Sequence, residues 1–373
     1  MPRIPRTARA ASAPPRSRHL RTIASAVLGI AIVLSLTSAP AHAEPGVSAA
    51  DRGLFGASDP TFDGVIRQSL AILGLHSAGV AVPPSALTWL LDQQCPDGSF
   101  AAFRSDPAAP CPPSDPASFT GPDTNSTSLA ALALDAMGEQ AAADAAVGWL
   151  VDQQSPGGGW VWIPIGTPDA ISTGLTLAAI TAIGAEGRAR ISRSATNFLR
   201  RTEAGCEQDP SARFGMPFQQ GLAPDTFSSS QSLLGLSGAF PVRQRTQRKA
   251  VPRPTCNSSG QVAEPAEGVA RWLARSLNAN DGALPNTYDP TSIDWNSTAL
   301  TILGLVALRS AGIATNKAVT ALQDNIEDYI GSDSGDQPAA LGTSILVATA
   351  TGTDPSDFGG ADLTTRLLAS LQR

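Results

Sequence analysis

Six stretches of this chain open with aspartate and close with glycine: Asp63 to Gly79, Asp123 to Gly138, Asp169 to Gly184, Asp225 to Gly238, Asp294 to Gly312 and Asp336 to Gly352. Each has the length of a helix of three to five turns. An aspartate there can accept from the free N–H groups of the first turn and sets negative charge at the positive end of the helix dipole. Glycine tolerates the left-handed conformation in which helices commonly end. Repetition of such a unit constrains the fold strongly, because repeated units must bury one another's faces.

The interiors of these segments are apolar or small on nearly every side, as in Ser128 to Leu134, Leu175 to Thr181 and Leu300 to Val306. Helices of that kind are buried all round. Between them, 143–154, 188–203 and 266–277 carry an apolar stripe and a charged face, with Trp149, Phe198 and Trp272 at similar places. These read as outer helices packed on one side. Six alternations of buried and amphipathic helices predict an all-α fold, an (α/α)6 toroid with an inner ring and a surrounding outer ring. A linear solenoid would leave its buried helices open on one face and shows no polar capping repeat here.

In a closed ring, all turns from outer to inner helix lie at one end. Those connections (95–122, 155–168, 205–224 and 279–293) are long and rich in Gly, Pro and aromatics, whereas the turns at Gly138 and Gly184 are short. Binding surfaces concentrate on such loops. The expected site therefore combines capping groups with loop aromatics. Asp123, Asn125, Asp169, Asp225, Asp294 and Asn296 supply polar contacts. Trp160, Trp162, Phe218 and Trp295, with Phe227, supply walls for a bulky, partly polar small molecule. Asp123-Thr-Asn-Ser-Thr and Asp294-Trp-Asn-Ser-Thr recur at helix starts; each also reads as a glycosylation sequon, but their place in the repeat favours capping and cavity contacts.

Residues 1–43 read as a signal peptide: six arginines precede an apolar run from Ile23 to Leu36, which ends at Ala41-His42-Ala43. Residues 44–59 read as a flexible mature N-terminus and 60–373 as the toroid, with an insertion at about 239–263. That leader holds six of the 26 basic residues and none of the 32 acidic ones, so 20 face 32 after its removal, a net charge of −12. Such a balance disfavours nucleic acid as a partner. No apolar stretch reaches the ~20 residues of a membrane span, so an integral membrane protein is not expected. Arg243, Arg245, Arg248, Lys249 and Arg253 form one basic cluster, read as a solvated loop. Four cysteines in an exported chain predict two disulfides. Three pairings are open, and closeness in sequence favours Cys95 with Cys111 and Cys206 with Cys256. The second pairing requires the insertion to climb the outer wall.

Two segments then carry a family resemblance: Trp89-Leu-Leu-Asp-Gln-Gln-Cys-Pro-Asp-Gly-Ser-Phe100 and Trp149-Leu-Val-Asp-Gln-Gln-Ser-Pro-Gly-Gly-Gly-Trp160, with a degraded third copy from Trp272 to Leu284. They resemble the Gln-Trp repeats of squalene and hopene cyclases and the related repeats of protein prenyltransferase β subunits, over roughly residues 60–373. That resemblance implies an (α/α)6 toroid. Physically, a glutamine amide can bond to backbone at a helix end while an aromatic ring packs over the outer helix. Trp89, Trp149, Gln153 and Trp160 thus read first as a structural clasp.

The chemistry implied by the resemblance is not matched. Cyclases of that family carry an Asp-x-Asp-Asp acid, and this chain has no two adjacent aspartates. Glu327-Asp328 and Asp333-Ser-Gly-Asp336 read as surface and cap. Prenyltransferases hold zinc with Asp, Cys and His; here His76 is the one histidine after the leader, and no Gly-x-Ser-x-Gly elbow supports a triad. Gly205-Cys206-Glu207-Gln208 is one glycine short of the thioester motif of complement-like toroids. The expectation is an exported, non-catalytic protein binding a corrinoid or isoprenoid at its loop face, resembling the cobalamin carriers. No cofactor is expected beyond such a ligand, and a membrane transporter is a candidate partner. The alternative is an isoprenoid cyclase or prenyltransferase-like enzyme with a divergent site.

Overall fold

The computed structural model describes residues 51–184, 188–241, 251, 253–332 and 335–373. The signal-peptide reading of 1–43 and the basic residues Arg243, Arg245, Arg248 and Lys249 lie outside them. Arg253 is described and exposed.

Thirteen helices are present among the described residues, and β-pairing is confined to isolated bridges. In chain order the pairs are α1 (Gly64–Ser77) and α2 (Pro84–Asp92), α3 (Thr124–Ala136) and α4 (Gln140–Asp152), α5 (Ala170–Ile183) and α6 (Ala189–Thr202). They continue with α7 (Thr226–Ser237) and α8 (Pro265–Ala279), then α9 (Trp295–Ala307) and α10 (Gly312–Asp324). A single turn, α11 (Ile326–Ile330), precedes the last pair, α12 (Pro338–Thr351) and α13 (Leu363–Ala369).

Helices α1, α3, α5, α7, α9 and α12 pack side by side in that order, and α12 returns against α1. The inner ring is therefore closed, as the repeat predicts, and the solenoid alternative does not hold. Two seams are especially tight because glycines meet backbone there. A Cβ on Gly74 would lie 2.7 Å from the Gly342 carbonyl oxygen, and one on Gly342 would collide with that of Leu70. Gly174 and Gly235 bring α5 and α7 together in the same way. Small side chains on the inner helices thus convert directly into short interhelical distances and a dense core.

Outer helices join through the clasp. Gln94 Nε2 donates to the Gly98 carbonyl and to Ala142 O on α4 (3.1 and 2.9 Å); Gln154 Nε2 repeats this with Gly158 O and Ile191 O on α6 (2.9 and 3.1 Å). The second glutamine of each Gln-Gln pair makes this bridge, one residue beyond Gln153. Trp160 is fully buried and its indole donates to Leu150 O at 2.6 Å, while Trp89 stacks with Phe103.

Two of the six aspartates do not cap. Asp63 instead takes Arg67 at 2.6 Å, and Asp336 takes Arg366 through both oxygens, at 3.0 and 2.5 Å. Helix α12 starts after Gln337 with Pro338. The segment Asp294 to Gly312 is also not one helix: α9 ends at Ala307, Arg309 and Ala311 turn in the left-handed region (φ 54 and 56), and Gly312 opens α10.

Residues 51–59 depart from the expected flexible arm. Leu54 and Phe55 are buried, Phe55 N–H donates to Gln68 Oε1 at 2.9 Å, and Gly53 N–H donates to Gln372 O at 2.8 Å. Both favoured disulfides form, with Cα–Cα separations of 5.9 Å for Cys95–Cys111 and 6.3 Å for Cys206–Cys256. Cys206 N–H also donates to Gly260 O, and Arg200 reaches Ala263 O, so the insertion returns along the outer wall beside α6.

Candidate functional site

Four inner helices begin with the pattern Asp-x-x-Ser-Ser/Thr, at Asp123, Asp169, Asp225 and Asp294. In each, aspartate Oδ1 accepts from the N–H three residues on: Ser126 at 2.8 Å, Ser172 at 2.8 Å, Ser228 at 2.6 Å and Ser297 at 2.8 Å. The serine hydroxyl donates to Oδ2 in the last three. The fifth residue holds the loop that arrives before the helix. Thr127, Thr173, Ser229 and Thr298 accept from the N–H groups of Phe100, Trp160, Met216 and Leu284 at 2.9–3.0 Å.

With the first, fourth and fifth positions committed to capping and loop anchoring, the third and seventh face the ring centre, as four-residue helical spacing requires. They form two layers. The upper one holds Asn125, Ile171, Phe227 and Asn296; the lower one holds Leu129, Leu175, Gln231 and Leu300. Ile66 and Leu70 of α1 and Ala339 of α12 complete the wall. They enclose a cavity of about 540 Å³, in the range that accepts a drug-sized molecule.

Six of the ten expected site residues border this cavity: Asn125, Trp162, Asp169, Phe218, Asp225 and Asn296. The other four stand behind it. Asp123 is buried beneath the Trp162 indole, which donates to its Oδ1 at 3.2 Å. Asp294 caps α9, Trp160 is packed in the clasp, and Trp295 packs against the core. Their aromatic and acidic character suggested a ligand role, but the loop and helix backbones consume it. Gln231, Tyr288 and Phe240 border the cavity without having been expected there. For Gln231 the signal was present, since it occupies the seventh position of the third Asp-x-x-Ser motif.

Burial is the main electrostatic influence on the caps. It pushes the carboxyls of Asp123 and Asp169 up to about 6, against the opposing pull of the N–H donor of Ser126 and of the N–H and hydroxyl donors of Ser172. Asp225 is raised for the same reason. Trp162 carries Phe119 on its face, with centroids 5.5 Å apart, and Phe119 adopts the left-handed region (φ 55) at the tip of a turn closed by Asp115 and Thr120. The rim is apolar as well: Phe119, Trp162, Ile165, Phe218, Leu222 and Tyr288 are exposed on the loops at this end.

Among the described residues no group of three or more His, Cys, Asp and Glu side chains is placed to hold a metal ion. His76 is exposed in the last turn of α1, at the opposite end of the ring.

The class these features define is the α/α toroid, with a mouth at the inner-helix N-termini. No family model and no curated protein matches the chain. Solved structures do show similarity. One is the ent-copalyl diphosphate synthase of Streptomyces platensis, at 13% identity with a TM-score of 0.49, over 78% of this chain and 50% of that one. This chain thus corresponds to half of that protein's length. Another is the type II terpene cyclase MstE of Scytonema, solved with geranylgeranyl dihydroxybenzoate, at 12% identity and a TM-score of 0.48 over 86% and 93%. A GH76 α-mannanase of Bacteroides thetaiotaomicron shows 10% identity and 0.49 over 77% and 86%. Likeness at this level concerns the helical architecture, and the closed ring rests on its own packing.

Proposed function

We propose that this chain is an extracytoplasmic binding protein that holds a bulky small molecule, isoprenoid or corrinoid, in the ring cavity without transforming it. The observation that carries this reading is the cavity itself: about 540 Å³, walled by all six inner helices, apolar apart from a few amides and capping carboxylates. Burial of apolar ligand surface would drive binding at roughly 25 cal/mol per Å² before the cost of immobilisation. The two disulfides support a location outside the reducing cytoplasm. Among the described residues no helix is long and apolar enough to cross a membrane.

One observation favours the enzyme reading. Asp169 and Asp225 border the cavity, and burial raises both, which suits an acid. Their oxygens, however, already accept from Ser172 and Ser228, which fixes them as caps. The two readings separate in one experiment. The purified chain is incubated with geranylgeraniol or hydroxocobalamin, and the protein fraction is analysed by absorbance and mass spectrometry. Co-elution of an unaltered molecule is the expected result. Turnover that disappears in Asp169→Asn or Asp225→Asn would establish an enzyme instead.

A further inference from the structure

We infer, resting on that binding reading, that the cavity selects a neutral, oxygen-bearing lipophile and rejects anionic head groups such as a diphosphate, with Gln231 and Asn125 as its hydrogen-bonding anchors.

Three observations converge on this. The first is the state of the amides. Gln231 is only 8% exposed and presents its side chain to the cavity from α7. Asn125 Oδ1, on α3, is buried without a hydrogen-bond partner among the described residues. A buried amide left unpaired is costly, so such a group in an otherwise apolar chamber points to a missing polar partner. Asn296 occupies the same helical position as Asn125 on α9, which stands opposite α3 in the ring of six. There, however, Tyr329 Oη already donates to Asn296 Oδ1 at 3.1 Å. The hydrogen-bonding capacity open to the cavity is therefore concentrated on α3 and α7.

The second observation is charge. Among the described residues no Lys, Arg or His borders the cavity, and the carboxylates that do are Asp169 and Asp225. A phosphate group there would meet like charge and no counter-charge, in surroundings too apolar to solvate it.

The third is the use of the helix ends. Converging helix N-termini are ordinarily a good anion site, through their free N–H groups and dipoles. Here Asp123, Asp169, Asp225 and Asp294 already occupy four of them. The ring has filled its own anion sites with carboxylates, and what faces the ligand is amide and hydrocarbon.

The test is calorimetric titration of the full chain with three probes sharing one C20 skeleton: geranylgeraniol, geranylgeranyl diphosphate and the parent hydrocarbon. The alcohol is expected to bind at least about a hundredfold tighter than the diphosphate. Gln231→Leu and Asn125→Leu should each weaken the alcohol by about tenfold and leave the hydrocarbon unchanged. Gln231→Arg should improve diphosphate binding, a gain that a misfolded variant would not show. Diphosphate binding as tight as alcohol binding would overturn the inference while leaving the binding reading intact, as would unchanged alcohol affinity when Gln231→Leu and Asn125→Leu are combined. Absence of binding by all three probes would instead defeat the binding reading, and the inference with it.

Discussion

Inner and outer helices of this ring begin in different ways. Four inner helices start from an aspartate whose carboxylate bonds into the first turn, at Asp123, Asp169, Asp225 and Asp294. Outer helices α2, α4, α6, α8 and α10 start from Pro83, Glu139, Arg188, Glu264 and Ala311, none with a side-chain cap bond; only α13, at Asp362, resembles the inner set. Packing alone evidently suffices to stabilise a helix in this fold. The carboxylates gathered at the mouth therefore reflect the demands of that end: anchoring long loops and shaping the chamber they surround.

The difference can be broken or sharpened by substitution. The largest effect belongs to the frame on which both ends depend. Gly342→Val would drive a side chain into the α1 backbone at Leu70, and unfolding should show a loss of at least about 3 kcal/mol. Next comes the link between the loop after α6 and the insertion. Removing the Cys206–Cys256 bridge by Cys→Ser at both positions should cost about 2–4 kcal/mol in chemical denaturation.

A third test concerns the clasp. Glu203 occupies the position that Gln94 and Gln154 hold in their repeats, five residues after the aromatic of the outer helix. Both its carboxyl oxygens are buried without a partner among the described residues, and Gly268 lies against them. Burial raises this carboxyl well above its ordinary range, with Arg200 opposing. The folded chain thus retains a proton that the unfolded chain releases, and stability falls as pH rises through the folded pKa. Glu203→Gln should restore the clasp and stabilise the protein by about 1–2 kcal/mol above that pKa, with the gain shrinking at lower pH.

The smallest effects compare the caps directly. Asp225→Ala should cost about 1 kcal/mol, and Glu139→Ala at an uncapped outer helix less than about 0.5 kcal/mol. Equal costs would erase the distinction between the two sets. Asp169→Asn keeps a good cap, so its cost at neutral pH should be small. It should also flatten the pH dependence. Because Asp169 is raised from 3.8 to about 6, its contribution to stability falls as pH rises across that window.

Much of the ring was legible in the chain because its helices announce themselves locally. Asp at the start, small and apolar residues within and Gly at the end are features of a single turn or two. The expectation failed where partners come from elsewhere. Asp336 looks like a cap in sequence, but Arg366, thirty residues on, claims it. The turn between α9 and α10 was hidden because Arg309 and Ala311, not glycines, take left-handed conformations there. Within the site, Asn125 and Asn296 were legible from the recurring motif. Gln231 carries the signal less plainly, because the Asp225 copy shares the Asp-x-x-Ser-Ser/Thr frame but has Phe227 where the Asp123 and Asp294 copies have asparagine. Trp295, and Trp160 beyond its place in the clasp, also suit a ligand wall by sequence, because aromaticity in a loop does not reveal which way a ring turns; the Trp160 indole bond to Leu150 O and the core packing of Trp295 take them away from the cavity.

The central claim is that a closed ring encloses a chamber with a ligand to hold. Calorimetry of geranylgeraniol with wild-type chain and with Leu175→Trp tests it most directly, since Leu175 borders the chamber on α5 and a tryptophan there would fill it. The account predicts saturable one-to-one binding by the wild type, with a negative heat-capacity change, and its loss in the variant at unchanged helicity. Undiminished affinity in Leu175→Trp would place the ligand elsewhere and contradict the account.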